Sequence, residues 1–250
     1  MPKAYHTITQ WDHWLTSFLG QQLLQAEERY LSEHIKSFNG SHAILIGSPQ
    51  QENLLKTTTI QHKTLFSPMF HKHNLMPYIE TDFKELPLFS GSVDLAILPH
   101  VLEFVDNPHK ILTEVCRVIK PTGHIVILNF NPASLWGLKK LLIQEKKIPW
   151  TGSFLPAVTI KNWLTVLDFQ LEKQNSFLFQ PPVKESLFPK FQFMESIGRN
   201  IFKSFGGVYA MIARADVTPL TPIKLHWKQE LPNRQIFPAG LPRPTTRNTP

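Results

Sequence analysis

The sequence has few of the features that mark secreted or membrane-spanning proteins. It contains one cysteine, Cys116, so no disulfide can form within the chain. No stretch reaches the roughly 20 apolar residues that a membrane-spanning helix requires. The N-terminal residues also lack the apolar segment of a secretory signal. We therefore expect a chain without a membrane span that works in the reducing cytoplasm.

Acidic residues are outnumbered, with 19 Asp and Glu against 26 Lys and Arg and a net charge of +7. Part of the excess lies beyond Asp216, where five basic residues accompany one acid, Glu230. Such a balance can attract nucleic acid or an anionic membrane. However, no run of Lys and Arg reaches the density of a nucleic-acid-binding patch. The charge therefore favours a soluble protein with a basic tail over a nucleic-acid partner, and it leaves the oligomeric state open.

Short apolar segments alternate with helical patterns through the middle of the chain. Strands are predicted at residues 43–46, 57–62, 93–98, 124–130, 169–179 and 208–213, and helices at 20–38, 108–119, 133–146, 160–167 and 188–205. The succession of strand 93–98, helix 108–119 and strand 124–130 is a βαβ unit, which requires parallel strands.

Three regions follow from this pattern. Residues 1–40 form an N-terminal helical segment, and residues 41–215 form the main domain. Residues 216–250 hold seven of the 21 prolines and little periodicity, so they are predicted to be a basic, proline-rich arm or tail.

The stretch from Thr81 to Asn131 carries the most specific motifs. Asp82 and Leu86-Pro87 precede Ser92-Val93-Asp94, which opens strand 93–98. The segment Val101-Leu102-Glu103 follows this strand. The next helix ends in Lys120-Pro121-Thr122-Gly123, directly before the strand HIVILNF. In this order the motifs closely resemble class I S-adenosylmethionine (SAM)-dependent methyltransferases of the type 11 group, over about residues 40–131. The resemblance implies an α/β fold with a Rossmann-like, seven-stranded, mostly parallel sheet and helices on both faces. It also implies SAM as the cofactor.

Ligands of such open sheets bind in the crevice beyond the carboxyl ends of the strands. The predicted cofactor-binding residues are Ile46, Gly47, Ser48, Gln61, Asp82, Phe83, Pro99, His100 and Glu103. By resemblance, Asp82 would bond the adenine amino group, and Phe83 would offer its backbone N–H to the ring. Glu103 has two readings, as a residue of the cofactor pocket or as a helix-capping or salt-bridging partner.

The chemistry of methyl transfer requires little from acids or bases, because the enzyme mainly aligns the acceptor with the methyl group and excludes water. His100 is the candidate base because it follows strand 93–98, and a packing role is the alternative. His71 and His73 lack a nearby carboxylate or cysteine, so no metal is predicted.

Two parts of the family pattern are missing. The family has D-x-G-x-G-x-G here, and its glycines let the backbone approach the methionine part of the cofactor closely. In this sequence only Gly47 matches, and Pro49 removes an N–H donor. No Asp or Glu occurs between Asn53 and Ile79, so the acid that usually binds the ribose is absent, and Gln61 or His62 is the substitute. Each lost charge-assisted bond costs about 1.5–3 kcal/mol, or about one to two decades of affinity.

Three functions are compatible with this sequence. The first is a SAM-dependent methyltransferase acting on a small molecule. The alternative is a catalytically inactive protein of the same fold that acts through weak SAM binding or protein contacts. A nucleic-acid methyltransferase or binder, suggested by the basic tail, ranks third. Pro99-His100-Val101-Leu102 stands where a base-flipping enzyme would have an Asn-Pro-Pro-Tyr motif.

Overall fold

A computed structural model describes residues 3–69, 76–142, 147–191, 193–195, 198 and 204–216. The chain divides into two units after Val217, and all of the second unit lies outside the described residues. His71 and His73 also lie outside them, as does the predicted arm beyond Asp216.

Seven strands form a single sheet in the described part of the chain. They are β1 His42–Ile46, β2 His62–Ser67, β3 Tyr78–Glu80, β4 Val93–Pro99, β5 Ile119–Phe130, β6 Phe169–Phe177 and β7 Val208–Ala215. The order across the sheet is β3-β2-β1-β4-β5-β7-β6. Strands β1 to β5 pair in parallel, and β7 runs antiparallel between β5 and β6. The predicted seven-stranded, mostly parallel α/β fold is therefore confirmed.

The helices are α1 Lys3–Leu15, α2 Phe18–His34, α3 Val101–Phe104, α4 Pro108–Val118, α5 Leu135–Leu142 and α6 Ala157–Val166, with 3₁₀ helices at Pro49–Thr57 and Glu185–Phe191. The start of α4 shows how the sequence sets these bounds. The Asn107 side chain accepts a hydrogen bond from the backbone N–H of Lys110, and Pro108 occupies the first turn, where a missing N–H costs nothing.

Two of the predicted elements are displaced in the structure. The second strand was expected at residues 57–62, but β2 begins at His62, because Leu65 and Phe66 are the fully buried residues of this region. Thr57 instead ends a 3₁₀ helix. The helix expected at 188–205 is replaced at its start by the 3₁₀ helix Glu185–Phe191, and much of the remainder lies outside the described residues.

Asp94 ties the start of the sheet together. Its carboxylate accepts hydrogen bonds from the backbone N–H groups of Ser41 and His42, and from the Lys120 amine at 2.8 Å. Partial burial works against ionisation, but these bonds outweigh it and lower the pKa of Asp94. The residue therefore fixes β1 against β4 and β5. Within the described residues, no helix has both the length and the apolar character needed to cross a bilayer.

Candidate active site

The carboxyl ends of the parallel strands bring most of the predicted site residues to one edge of the sheet. Gly47 follows β1, Asp82 follows β3, and Pro99 ends β4 with His100 directly after it. Because these strands are parallel, the three strand ends face the same crevice.

Gln61 does not belong to this group, and its prediction as a ribose ligand is wrong. It precedes β2, whose first residue, His62, pairs with His42 at the start of β1. Gln61 is therefore exposed at the opposite edge of the sheet. The carboxyl end of β2 is Ser67, a buried residue whose hydroxyl has no hydrogen-bond partner in the described structure.

A glutamine side chain fills the turn after β1. The Oε1 atom of the fully buried Gln51 accepts a hydrogen bond from the backbone N–H of Ser48 at 3.0 Å. Its Nε2 donates to the carbonyl of Pro99 at 3.3 Å, which joins this turn to the end of β4. A Cβ on Gly47 would lie 2.7 Å from Gln51 Oε1. Counted from Gly47 in steps of two, Pro49 and Gln51 stand where the family pattern has its second and third glycines.

The loop after β3 leaves a carboxylate accessible. Asp82 Oδ1 accepts a hydrogen bond from the backbone N–H of Lys84, and the Asp82 side chain is 44% exposed. A carboxylate has about four acceptor positions, so Asp82 can accept further bonds. Phe83 is buried with a φ of 68°, and its N–H, which was expected to face adenine, points to the Thr81 hydroxyl at 3.3 Å.

His100 lies between two carboxylates in the interior. Its Nε2 is 2.7 Å from Glu27 Oε1 of α2, and its Nδ1 is 2.7 Å from Glu103 Oε2 of α3. The other oxygen of Glu103 accepts a hydrogen bond from the backbone N–H of Phe130 at 2.8 Å. The His100 and Glu27 side chains have no exposed surface, and Glu103 is buried as well. Glu103 therefore fits its second reading, as a salt-bridging partner.

The charges of this cluster argue against His100 as a base. Burial alone would lower the pKa of His100, but Coulomb attraction to Glu27 and Glu103 raises it to about 9. The imidazole is thus protonated at neutral pH, and both of its nitrogens are already bonded. The prediction of His100 as a proton-accepting base is therefore wrong for this conformation. Burial also raises the pKa of Glu103, although His100 partly offsets that effect.

Helix α1 covers this part of the edge. The Trp11 ring is almost completely buried and lies 5.2 Å from the His100 ring and 4.8 Å from the Phe104 ring, measured between centroids. The Asp12 carboxylate accepts a hydrogen bond from the backbone N–H of Gln50 at 3.0 Å. Helix α1 is thereby fixed both to the turn after β1 and to the residues after β4.

A second, apolar space opens further along the same edge. A cavity of about 680 Å³ is lined by residues that include Ser134, Leu135 and Leu138. Phe179 and Phe205 contribute from the segments beside β6 and β7. In the described part of the chain, no group of three or more His, Cys, Asp or Glu side chains could hold a metal ion.

Comparisons with known proteins identify this architecture. The sequence model of a family described as "Methyltransferase domain" matches residues 52–127. A SAM-dependent methyltransferase from Thermotoga maritima superposes with a TM-score of 0.62 and 15% identity, covering 85% of this chain and all of that one (100%). The chain has the fold of class I SAM-dependent methyltransferases. Proteins of this class use SAM, which is the cofactor predicted from the sequence.

Two curated proteins are similar to this methyltransferase-fold chain. The Escherichia coli protein YafS, itself described as uncharacterized, is 28% identical over 176 residues, which span 70% of this chain and 72% of YafS. A demethylmenaquinone methyltransferase from Chlamydia pneumoniae is 33% identical over 79 residues, which span 30% of this chain and 34% of that protein. The family match begins at Glu52, directly after the turn that Gln51 fills.

The residues at the carboxyl ends of the strands fit one half of SAM better than the other. Asp82 offers an accessible carboxylate for an adenine amine, and Ser67 offers a buried, unpartnered hydroxyl at the end of β2, where the ribose acid is missing. Beside Gly47, where the family pattern has the glycines that approach the methionine part, the Gln51 amide fills the space that a Cβ on Gly47 would enter.

Sequence reasoning missed the four residues that shape the edge from other parts of the chain. They are Trp11, Asp12, Glu27 and Gln51. Only Gln51 carries a local signal, because the spacing from Gly47 assigns it to a glycine position. Glu27 reaches His100 across 73 positions of sequence, and a helical pattern reveals nothing of such a contact.

Proposed function

We propose that this chain binds SAM at the carboxyl edge of its sheet and transfers the methyl group to a small-molecule acceptor. The observation that carries the proposal is the accessible Asp82 carboxylate after β3, in a chain whose residues 52–127 match the methyltransferase domain. In this role Asp82 accepts hydrogen bonds from the adenine amine, and Ser67 bonds a ribose hydroxyl.

The remaining residues position groups and exclude water. SAM supplies an electrophilic methyl group, so the protein needs to align the acceptor and keep the site dry. Trp11 and Phe130, whose ring centroids are 6.1 Å apart, close one side of the site. The charged bonds of His100 hold the end of β4 against α2 and α3. The small-molecule acceptor and the cytoplasmic location stay predictions.

One observation favours a second function. Gln51 fills the methionine half of the site, and the carbonyl of Pro99 is already bonded to it. A chain that keeps this arrangement binds SAM weakly or not at all, and it then acts through contacts with other molecules.

Calorimetric titration with SAM and S-adenosylhomocysteine separates the two functions. Asp82→Ala should weaken binding about ten- to a hundredfold, because it removes charge-assisted hydrogen bonds worth about 1.5–3 kcal/mol. Glu85→Ala is the matched control, because Glu85 is an exposed acid of the same loop. If neither the wild type nor Gln51→Gly binds millimolar ligand, the methyltransferase proposal fails and the second function stands.

A further inference from the structure

The apolar cavity lies beyond the ends of β5 and β6. The start of β7, Val208, pairs with Phe130 at the end of β5 and with Phe177 at the end of β6. The cavity is lined by Ser134 and Leu135 after β5, by Phe179 after β6, and by residues that precede β7. It therefore opens beyond the same edge that carries Pro99 and His100.

Two aromatic rings link helix α5, which contributes to the cavity, to His100 at the end of β4. Trp136 of α5 stacks on Phe130 with the centroids 5.3 Å apart, and Phe130 lies 4.2 Å from the His100 ring. A Cβ on Gly207 would lie 2.5 Å from the Trp136 ring, so the backbone of the β7 entry passes directly against it. The indole Nε1 donates to the carbonyl of Gln180 at 3.1 Å. Trp136 is thus held in place beside Phe130 and the start of β7.

The described wall of the cavity offers almost nothing to a polar ligand. Ser134 is the one polar side chain among the described lining residues, and its hydroxyl donates to the Asn131 carbonyl at 2.6 Å. A ligand in this space must therefore be recognised through apolar contact. Phe193 and Phe205 remain more than half exposed, at 58% and 55%. Exposed apolar side chains grouped around a cavity are typical of an interaction site, and a ligand-binding groove is one such site.

Hydrogen bonds hold one side of the cavity, helix α5, in place. Lys139 donates from its amine to the carbonyl of Pro182 at 2.8 Å, and Lys140 donates to the carbonyl of Gly152. These bonds fix α5, which supplies Leu135 and Leu138 to the wall. A volume of about 680 Å³ lies within the range of about 300–1,000 Å³ that holds small ligands in proteins.

We propose that this cavity binds the hydrocarbon chain of an amphiphilic small molecule, whose polar end remains at the carboxyl edge beside the cofactor site. The assignment of this molecule as the methyl acceptor rests on the proposed function, whereas the cavity's affinity for a chain does not. A single apolar chain is the occupant that this wall fits, since the described wall side chains have no free hydrogen-bonding group to satisfy a polar ligand.

Calorimetric titration of the full chain with octanol, decanol and dodecanol, in the absence of SAM, tests the proposal. Each added methylene should improve affinity about fourfold, the equivalent of about 0.8 kcal/mol, until the cavity is full and affinity levels off. Leu138→Asp should weaken dodecanol binding at least tenfold, because it places a charge in the wall. The matched control is Val166→Asp on α6, where Val166 is 75% exposed and distant in sequence from the cavity wall.

A second variant guards against misfolding of Leu138→Asp. Ala133→Trp at the exposed rim should leave octanol binding intact. Because the larger side chain shortens the cavity, affinity should stop rising at a shorter alcohol than in the wild type. Affinity that is independent of chain length, or equal in Leu138→Asp and Val166→Asp, overturns the proposal. Binding to phosphatidylcholine vesicles without binding of free alcohols also overturns it. Alcohol binding without any SAM binding refutes the methyltransferase function and leaves the cavity assignment intact.

Discussion

Replacing Gln51 with glycine should strengthen SAM binding while it weakens the fold. Gln51 makes two hydrogen bonds to the backbone: it accepts from the Ser48 N–H at 3.0 Å and donates to the Pro99 carbonyl at 3.3 Å. Its Oε1 also accepts from the Ser48 hydroxyl at 3.3 Å, a group that can rotate to another partner. The methionine part of SAM has to displace both backbone bonds, and each contributes about 0.5–1.5 kcal/mol to the free protein. Their prior removal should improve affinity by roughly 1–3 kcal/mol, which is about five- to 150-fold.

The same change has a cost for the free protein. The variant loses the roughly 1–3 kcal/mol of the two bonds, and glycine within the 3₁₀ helix Pro49–Thr57 adds about 0.5–1 kcal/mol of backbone entropy. A gain in affinity together with a loss of stability is the signature of a side chain that competes with the ligand. If Gln51 only supported the fold, its replacement would lower both the stability of the protein and its affinity for SAM.

Calorimetry with S-adenosylhomocysteine and urea unfolding measure the two effects. Gln50→Gly is the control, because it makes the same backbone change one position earlier, where the side chain is half-buried and the backbone N–H still bonds Asp12. If Gln51→Gly binds no more tightly than Gln50→Gly, and both unfold cooperatively, the Gln51 amide does not limit cofactor binding and the reasoning is refuted.

Three further predictions concern the buried contacts around the site. The pKa of His100 is raised from 6.5 to about 9, so protonated His100 stabilises the folded protein fully below about pH 6.5, and this stabilisation is lost as pH rises through 9. The free energy of unfolding in urea should therefore fall by most of about 3 kcal/mol over this window. His100→Gln should flatten this dependence of stability on pH. Trp11→Ala should cost about 3–5 kcal/mol, and equal losses for the less buried Trp14→Ala would contradict the packing of α1. Asp94→Asn should lower stability by about 1–2 kcal/mol, and a thermal midpoint equal to that of the wild type would contradict its role in joining β1, β4 and β5.

The parts of the fold that were predicted correctly are those whose information is local. Strand β4, helix α4 and residues 124–130 of β5 are each marked by their own apolar pattern, and α4 also by the cap at Asn107. The first five residues of β5, 119–123, were instead expected to end the helix. β2 was misplaced because four of its six residues are polar, so the β-branched run just before it gave the stronger pattern. Only the pairing of Leu65 and Phe66 with β1 shows which residues are buried.

The candidate site was predicted in outline, with important errors. Asp82 and Pro99 lie at the carboxyl edge as expected, because their positions follow directly from the strands. The role of His100 could not be predicted, because it depends on Glu27, and nothing local to either residue indicates that their side chains meet. A histidine with both nitrogens bonded to carboxylates has a different charge from the free base that the sequence suggested.

The contact between Glu27 and His100 also limits how this protein can be recombined with its relatives. Glu27 belongs to α2, outside the region that matches the family, whereas His100 lies inside it. A chimera that exchanges residues 41–215 alone would bring a foreign residue against a buried carboxylate that has lost its partner, and such a group is strongly destabilising. The two positions should therefore be exchanged together, and related sequences that carry one of them should be inspected for the other.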